Sequence, residues 1–142
     1  MDFFDALLRY EIDLWNHLDT RLHESGAPSL AVLEALRVVA RHQGRARVLE
    51  LQNEMRITVG AASKFADRLE RDGLLERRAN PDDRRSSLLT LTAAGVHQHD
   101  TGLAIMKEFL DDHIRGFAQD AQLSTEVFRA LTERLAQGSV AR

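Results

Sequence analysis

Cysteine is absent from this chain of 142 residues, which excludes disulfides, thiolate ligands for zinc, thiol nucleophiles and thiol-based redox sensing. No apolar run approaches the roughly 20 residues that a membrane span needs. The first five residues carry two aspartates and no basic residue, so they lack the basic segment of a signal peptide. We therefore expect a cytoplasmic protein with no role at a membrane.

The sequence also has none of the short motifs that common enzymes use. It contains no glycine-rich phosphate loop, no nucleophile elbow, no paired zinc-ligand motif and no recurrent pair of carboxylates. We therefore do not expect an enzyme, and no cofactor is predicted.

Apolar residues that recur at helical spacing predict that most of the chain is helical. The helices are separated by residues that favour turns, which are Ser25-Gly-Ala-Pro-Ser29, Gly44 and Asp72-Gly73. Three hydroxyl residues are placed to cap the helices that follow them: Ser29, Thr58 and Thr92. The predicted helices cover residues 4–22, 30–42, 48–55, 59–71, 92–117 and a last segment that begins near Ser124.

Two short strands interrupt this pattern at residues 74–78 and 87–92, joined by the polar loop Asn80-Pro-Asp-Asp-Arg-Arg85. They follow two helices that only about three residues connect, which is the spacing of a helix-turn-helix. A β-hairpin directly after a helix-turn-helix has the order of a wing. The predicted fold class is mainly α with a small β-hairpin wing, as a winged helix-turn-helix with additional N- and C-terminal helices.

The net charge of -3 is an average over two unlike parts of the chain. Residues 37–87 hold 12 Lys or Arg against 8 Asp or Glu and have a net charge of +4, whereas the remainder has a net charge of -7. The basic surplus thus coincides with the helix-turn-helix and the hairpin. This distribution would steer the central segment toward a phosphate backbone, although a charged run can also be a solvated face.

The central residues carry a family resemblance. Residues 57–77 resemble the recognition helix and first wing strand of the MarR family of transcriptional regulators. The Asp-x-Arg at residues 83–85 and the Leu-Thr-x-x-Gly at residues 91–95 are similar to the family's wing and to its exit into a long helix. The resemblance is strong over about residues 30–97, and chain length and flanking helices agree over the rest.

The resemblance implies a homodimeric repressor that binds double-stranded DNA at a pseudo-palindromic operator, with recognition helices in major grooves and wings in flanking minor grooves. Residues 1–142 would form one domain, in which residues 30–92 are the DNA-binding lobe and residues 1–24 and 93–142 are the dimerisation helices. The apolar surplus of the terminal helices fits such a dimer, although it could instead close a monomeric helical core.

Candidate DNA-binding residues follow from this arrangement. Thr58, Val59 and Gly60 begin the recognition helix, where free N–H groups favour phosphate, and Val59 could contact thymine methyls. Ser63 and Lys64 lie one turn further, within reach of base edges or backbone, and Arg68 would hold the backbone. Few side chains at the helix start are polar, so shape and wing contacts would carry much of the specificity.

In the wing, Arg85 is the candidate for insertion into the minor groove, and Arg84 would contact phosphate. Asp83 would support the wing by fixing the Arg85 side chain, as the family pattern implies. The alternative is that Asp83 and Arg85 form an ordinary surface ion pair.

Many members of the family respond to small aromatic or phenolic anions. Candidate pocket residues are Arg9, Trp15, His17 and Arg41, although Trp15 could also be part of the core. His97 and His99 are two apart and would lie on different faces of a helix, so no metal site is predicted. A metal-responsive regulator and a winged-helix module for protein–protein assembly remain the alternative functions.

Overall fold

The computed structural model describes residues 1–139, and within that range the chain forms six helices and one two-stranded antiparallel sheet. The fold class predicted from the sequence, mainly α with a hairpin wing, is confirmed. None of the helices in this range is both long and apolar enough to cross a membrane. The elements are α1 (Asp2–Glu24), α2 (Leu30–Arg41), α3 (Val48–Met55), α4 (Val59–Arg71), β1 (Leu75–Ala79), β2 (Ser87–Leu91), α5 (Ala93–His113) and α6 (Ala118–Ser139).

The first residue of each central helix is set by a side chain that accepts a backbone N–H. The Ser29 hydroxyl accepts from Val32 at 3.4 Å, and the Thr58 hydroxyl accepts from Ala61 at 3.2 Å, so both predicted caps are confirmed. Before α3, the Glu50 carboxylate accepts the backbone N–H of Arg47 at 2.7 Å, a cap that the sequence reading missed.

The core lies where α2, α3 and α4 pack against one another and against the hairpin. Ala62 and Ala66 are fully buried on α4, and their small side chains let this helix approach its neighbours closely. Phe65, also on α4, is only partly buried. The fully buried large side chains are Leu22, Leu33, Leu36, Val39, Leu51, Leu69, Leu75 and Leu89.

The wing is a hairpin whose register runs from Leu75 opposite Leu91 to Ala79 opposite Ser87. Its loop closes on Asn80, a buried polar residue. The Asn80 side chain donates to the Ser86 hydroxyl at 2.9 Å and accepts the backbone N–H of Asp82 at 3.0 Å. Both ends of the amide are therefore satisfied, and the loop is held from within.

Thr92 joins the end of α4 to the start of α5. Its hydroxyl donates to the carbonyl of Gly73 at 2.6 Å and accepts the backbone N–H of Gly95 at 3.0 Å, which confirms the predicted cap. Its own N–H donates to the Leu74 carbonyl at 3.1 Å. A Cβ on Gly95 would collide with that same carbonyl, so this position needs glycine. The Leu-Thr-x-x-Gly motif is thus a packed junction.

The end of α5 and the start of α6 differ from the prediction. Helix α5 ends at His113 and not near residue 117, and α6 begins at Ala118 and not near Ser124. The chain turns at Gly116, whose φ of +87° suits glycine, and the Ala121 N–H then bonds to the Phe117 carbonyl. Ser124, near which the last helix was expected to begin, lies inside α6.

The described chain forms two compact units. In the first, which comprises residues 1–106, α1 buries Leu18 and Leu22 but leaves most of its apolar side chains in solvent. In the second, which begins at Lys107, no side chain of α6 is buried over residues 118–137. The exposed large apolar residues of α6 are Leu123, Val127, Phe128, Leu131 and Leu135.

Candidate nucleic-acid interface

Helix α4 presents its N-terminal end to solvent. Val59 is 62% exposed, Gly60 has open space where a Cβ would stand, and Ala61 is exposed. The buried alanines and Leu69 hold the opposite side of the helix in the core. Apart from the N–H that Thr58 accepts, the first-turn N–H groups of α4 thus stand at an open surface, where they can bind an anion.

The predicted polar residues of α4 differ in their surroundings. Lys64 is exposed, lies one turn beyond Gly60 on the same face, and pairs with no carboxylate in the described part of the chain. Ser63 is half-buried. Arg68 is exposed and has Asp72 at 3.6 Å, so its charge is partly compensated within the helix.

The 12 cations of residues 37–87 divide into two equal groups. Six form ion pairs with carboxylates, and those pairs engage six of the eight acidic residues of the same segment. The other six are exposed and, among residues 1–139, have no carboxylate partner. Their charges are available to phosphate groups. This second group, here called the free cations, consists of Arg45, Arg56, Lys64, Arg71, Arg84 and Arg85.

Arg77 connects α4 to the wing. From β1, its Nε donates to the Glu70 carboxylate at 3.0 Å, and its Nη2 donates to the carboxylate of Asp67. Its side chain is 26% exposed, less than either acidic partner. The bridge fixes the wing to the recognition helix and also neutralises two acids that would otherwise repel a phosphate backbone. The sequence contained a signal for this bridge, because the two acids lie three residues apart on α4. The sequence analysis nevertheless assigned Arg77 no role.

The wing loop differs from its prediction in one contact. The Asp83 carboxylate accepts the backbone N–H of Arg85 at 2.9 Å, whereas the expected contact was with the Arg85 side chain. An aspartate reaches the N–H two residues ahead with little loss of freedom, so the local turn takes its carboxylate first. The Arg84 and Arg85 guanidinium groups are consequently exposed and belong to the free cations.

An open depression of about 420 Å³ lies at the base of the wing, with Arg45 and Arg47 on one side and the loop residues 80–83 on the other. Arg47 is engaged, because its guanidinium donates to Glu50 at 2.8 Å. That hydrogen bond raises the pKa of Arg47 and holds the pKa of Glu50 below its usual value. Arg45 is one of the free cations, and the sequence reading assigned it no role.

Of the four residues predicted to form a ligand pocket, Trp15 lines a depression. It is 43% exposed, so it is not part of the core of the chain, and it borders a space of about 360 Å³ with Glu11, Ile12 and Asn16. Arg9 is exposed elsewhere on α1. The remaining two are engaged elsewhere: the His17 ring bonds to the Asp13 carbonyl at 2.7 Å, and Arg41 pairs with Glu54 at 2.5 Å.

Two histidines each contact one carboxylate. His42 contacts Glu54 at 2.5 Å, and His99 contacts Asp100 at 2.8 Å. Across residues 1–139, no group of three or more histidines and carboxylates is placed to hold a metal ion.

Comparison with known proteins gives three findings. Residues 28–87 match the model of the MarR family. The chain is 25% identical over 115 residues to the HTH-type transcriptional regulator MhqR of Bacillus subtilis (strain 168), which covers 80% of this chain and 72% of that protein. Solved structures of MarR-family proteins share the fold.

Two of these structures contain bound molecules. A MarR variant from E. coli complexed with operator DNA superposes with a TM-score of 0.78 at 19% identity, covering 92% of this chain and 94% of that one. CouR from Rhodococcus jostii RHA1 bound to p-coumaroyl-CoA superposes with a TM-score of 0.81 at 18% identity, covering 92% and 91%. At these identities the superposition establishes the common fold.

Proposed function

Residues 28–87 match the model of the MarR family of transcriptional regulators, and from that premise we propose that this chain is a homodimeric repressor of that family which binds a pseudo-palindromic operator and is released by a small ligand. Residues 30–92 are the DNA-binding lobe of this proposal, and α1, α5 and α6 form the dimer. The observation that carries it is the placement of five of the six free cations on α4, at its preceding turn and in the wing.

The N-terminal half of α4 enters the major groove. Its exposed first turn offers backbone N–H groups to a phosphate, and the Val59 side chain is available to thymine methyls. Lys64 follows on the same face as a free cation, suited to guanine acceptors or to a phosphate. Arg68, partly compensated by Asp72, holds the backbone. The proposed contact residues of the helix are Thr58, Val59, Gly60, Ser63, Lys64 and Arg68.

The wing supplies the second contact. Asn80 and Asp83 order the loop by accepting the backbone N–H groups of Asp82 and Arg85, and the guanidinium groups of Arg84 and Arg85 remain free. A guanidinium on an ordered loop loses little entropy on insertion into a narrow minor groove. We assign minor-groove insertion to Arg85 and phosphate contact to Arg84.

The terminal helices provide the dimer contact. In a single chain, α1 exposes Phe3 and Phe4, and α6 exposes a row of apolar side chains and buries none of the described ones. A row of large exposed apolar side chains on one helix, as on α6, is typical of an interaction site. A second copy covers this surface with its own equivalent surface, as two-fold symmetry requires. The resulting dimer presents two recognition helices to an inverted repeat.

For the ligand, we propose a small aromatic molecule that stacks on Trp15, with Arg9, His17 or Arg41 as a partner for an anionic group once two copies assemble. The half-exposed indole beside an open depression supports this assignment. The p-coumaroyl-CoA held by the structurally similar CouR is also aromatic and anionic. Trp15 is the sole tryptophan, so quenching of its fluorescence by candidate phenolic acids tests the site directly.

One titration tests the DNA proposal against a protein-assembly module. The duplex is selected from a randomised library with the full chain, and its affinity is measured by fluorescence anisotropy from 50 to 300 mM salt. We expect a steep linear fall of log K with log salt, at about 0.9 per phosphate contact, and sedimentation at twice the chain mass. Salt-insensitive binding, or selection of no duplex, would contradict the proposal.

A further inference from the structure

We propose that Thr92 determines which spacing between two DNA half-sites this chain recognises, by fixing the direction in which α5 leaves the DNA-binding lobe. The inference rests on the proposed homodimer. It concerns the separation of the two recognition helices, which the DNA contacts do not explain. A dimer reads an inverted repeat only if its two recognition helices stand at the right separation. That separation depends on how rigidly α4 is joined to the helices of the dimer.

The junction at Thr92 makes this connection through the fewest possible bonds. Helix α4 ends in the turn of Gly73, whose φ is +74°, and the Leu74 N–H bonds back to the Leu69 carbonyl at 2.9 Å. The Thr92 hydroxyl donates to the carbonyl of Gly73 and, with its oxygen, accepts the N–H of Gly95 in the first turn of α5. One hydroxyl therefore bonds the end of the recognition helix to the start of the next long helix.

Close packing removes the remaining freedom at this point. The Thr92 N–H donates to the Leu74 carbonyl, and the absence of a side chain at Gly95 lets α5 lie directly on that carbonyl. Gly95 is buried. The hydroxyl and the glycine thus both constrain the direction of α5 relative to α4 at the point where α5 begins.

A small change of direction has a large effect because α5 is long. Its 21 residues extend about 31 Å, so a tilt of about 6° at Thr92 displaces the far end by about 3 Å. This displacement is close to the rise of one base pair, about 3.4 Å. Thr92 is thus a positioning residue: it touches no DNA, yet it selects the spacer length that the dimer accepts.

The experiment compares spacer selectivity among Thr92→Val, Thr92→Ser and the wild-type chain. The duplex selected with the wild type is rebuilt with one base pair removed or added between its half-sites, and the three affinities are measured well below each melting temperature. We expect the wild type to prefer its own spacer by about ten-fold or more. Thr92→Val, isosteric but without the hydroxyl, should reduce this preference to about three-fold or less, and Thr92→Ser should retain it.

Ser29→Ala is the matched control, since it also removes an N-cap hydroxyl but caps α2 and not the junction. It should lower the melting temperature as Thr92→Val does and keep the wild-type spacer preference. Equal loss of preference in both variants, or an unchanged preference in Thr92→Val, would overturn the inference while the proposed function stands. A wild type that accepts all three spacers equally would overturn the proposed paired recognition, and this inference with it.

Discussion

Arg77 of β1 donates its Nε–H to the Glu70 carboxylate of α4 across 3.0 Å, and this contact ties the wing to the recognition helix. The same guanidinium reaches Asp67, so one cation compensates two acids on the helix that we assign to the major groove. DNA recognition by this chain then depends on a residue that need not touch DNA.

Replacement of Arg77 by alanine should weaken operator binding by about ten-fold or more. The wing loses its bridge to α4, and two uncompensated carboxylates face the phosphate backbone, where like charges repel. Anisotropy titration against the selected duplex measures the loss. Arg78→Ala is the control, because Arg78 pairs with Glu76 within β1 and makes no bridge to α4. Equal affinity of the two variants would contradict the bridge's role.

Lys64→Ala and Arg85→Ala should each lower affinity and reduce the slope of log K against log salt by up to about 0.9, the value for one phosphate contact. Arg85→Ala should also weaken the preference for A·T pairs beside the half-sites, because a narrow minor groove attracts arginine. Arg41→Ala is the control, since Arg41 pairs with Glu54. If neither variant binds more weakly than the wild type, these two site assignments are wrong.

Two glycines should respond in opposite directions to alanine. Gly95→Ala places a Cβ against the Leu74 carbonyl, which should lower the free energy of unfolding by about 2 kcal/mol or more, as overpacking at rigid sites does. Gly60→Ala meets open space and should raise the free energy of unfolding by up to about 1 kcal/mol through helix propensity. Denaturant unfolding measures both. Destabilisation by Gly60→Ala would contradict the open surface at the start of α4.

Arg56 combines a free charge with a left-handed backbone at φ +56°, in the turn that precedes α4. Arg56→Gly should therefore raise the free energy of unfolding by about 1 kcal/mol and weaken DNA binding, because the substitution removes both the backbone strain and the positive charge. Gln43→Gly, also at positive φ, is the control that should change stability without affecting binding. Parallel melting and anisotropy experiments separate the two effects.

Acid stability should depend on Glu50. Its hydrogen bond from Arg47 lowers the pKa of Glu50 below 4.5 in the folded chain, so its contribution is present above that pH and is lost as the pH falls through the lowered value. Glu50→Gln should therefore flatten the decline of stability below pH 4.5. The exposed Glu126, changed to Gln, serves as control. An unchanged pH profile in Glu50→Gln would refute the assignment.

The local elements could be predicted because their signals are local. The caps at Ser29, Thr58 and Thr92 depend on residues three apart, and the hairpin depends on period two between turn residues. The end of α5 could not be placed, because Phe117 continues the apolar spacing although the chain turns at Gly116.

The candidate site was predicted less completely than the fold. Positive charge is visible in the sequence, but which cations are free depends on which acids the fold brings near, as with Arg77 and Glu70. Arg45 and Arg56 are free for the same reason, and spacing alone could not distinguish them from the paired arginines. The pairing at Asp83 was misassigned because its turn competes with the ion pair.

In the proposed dimer, the exposed apolar side chains of α6 make the amount of active protein depend on concentration. Most helical stability in proteins comes from packing of an apolar face, and none of the α6 side chains over residues 118–137 is buried in a single chain. In the proposed dimer, association would supply this packing and would couple the stability of α6 to mass action. At low abundance the population of competent dimers grows with the square of the chain concentration. A repressor of the proposed kind would set a threshold of expression below which its operator stays open.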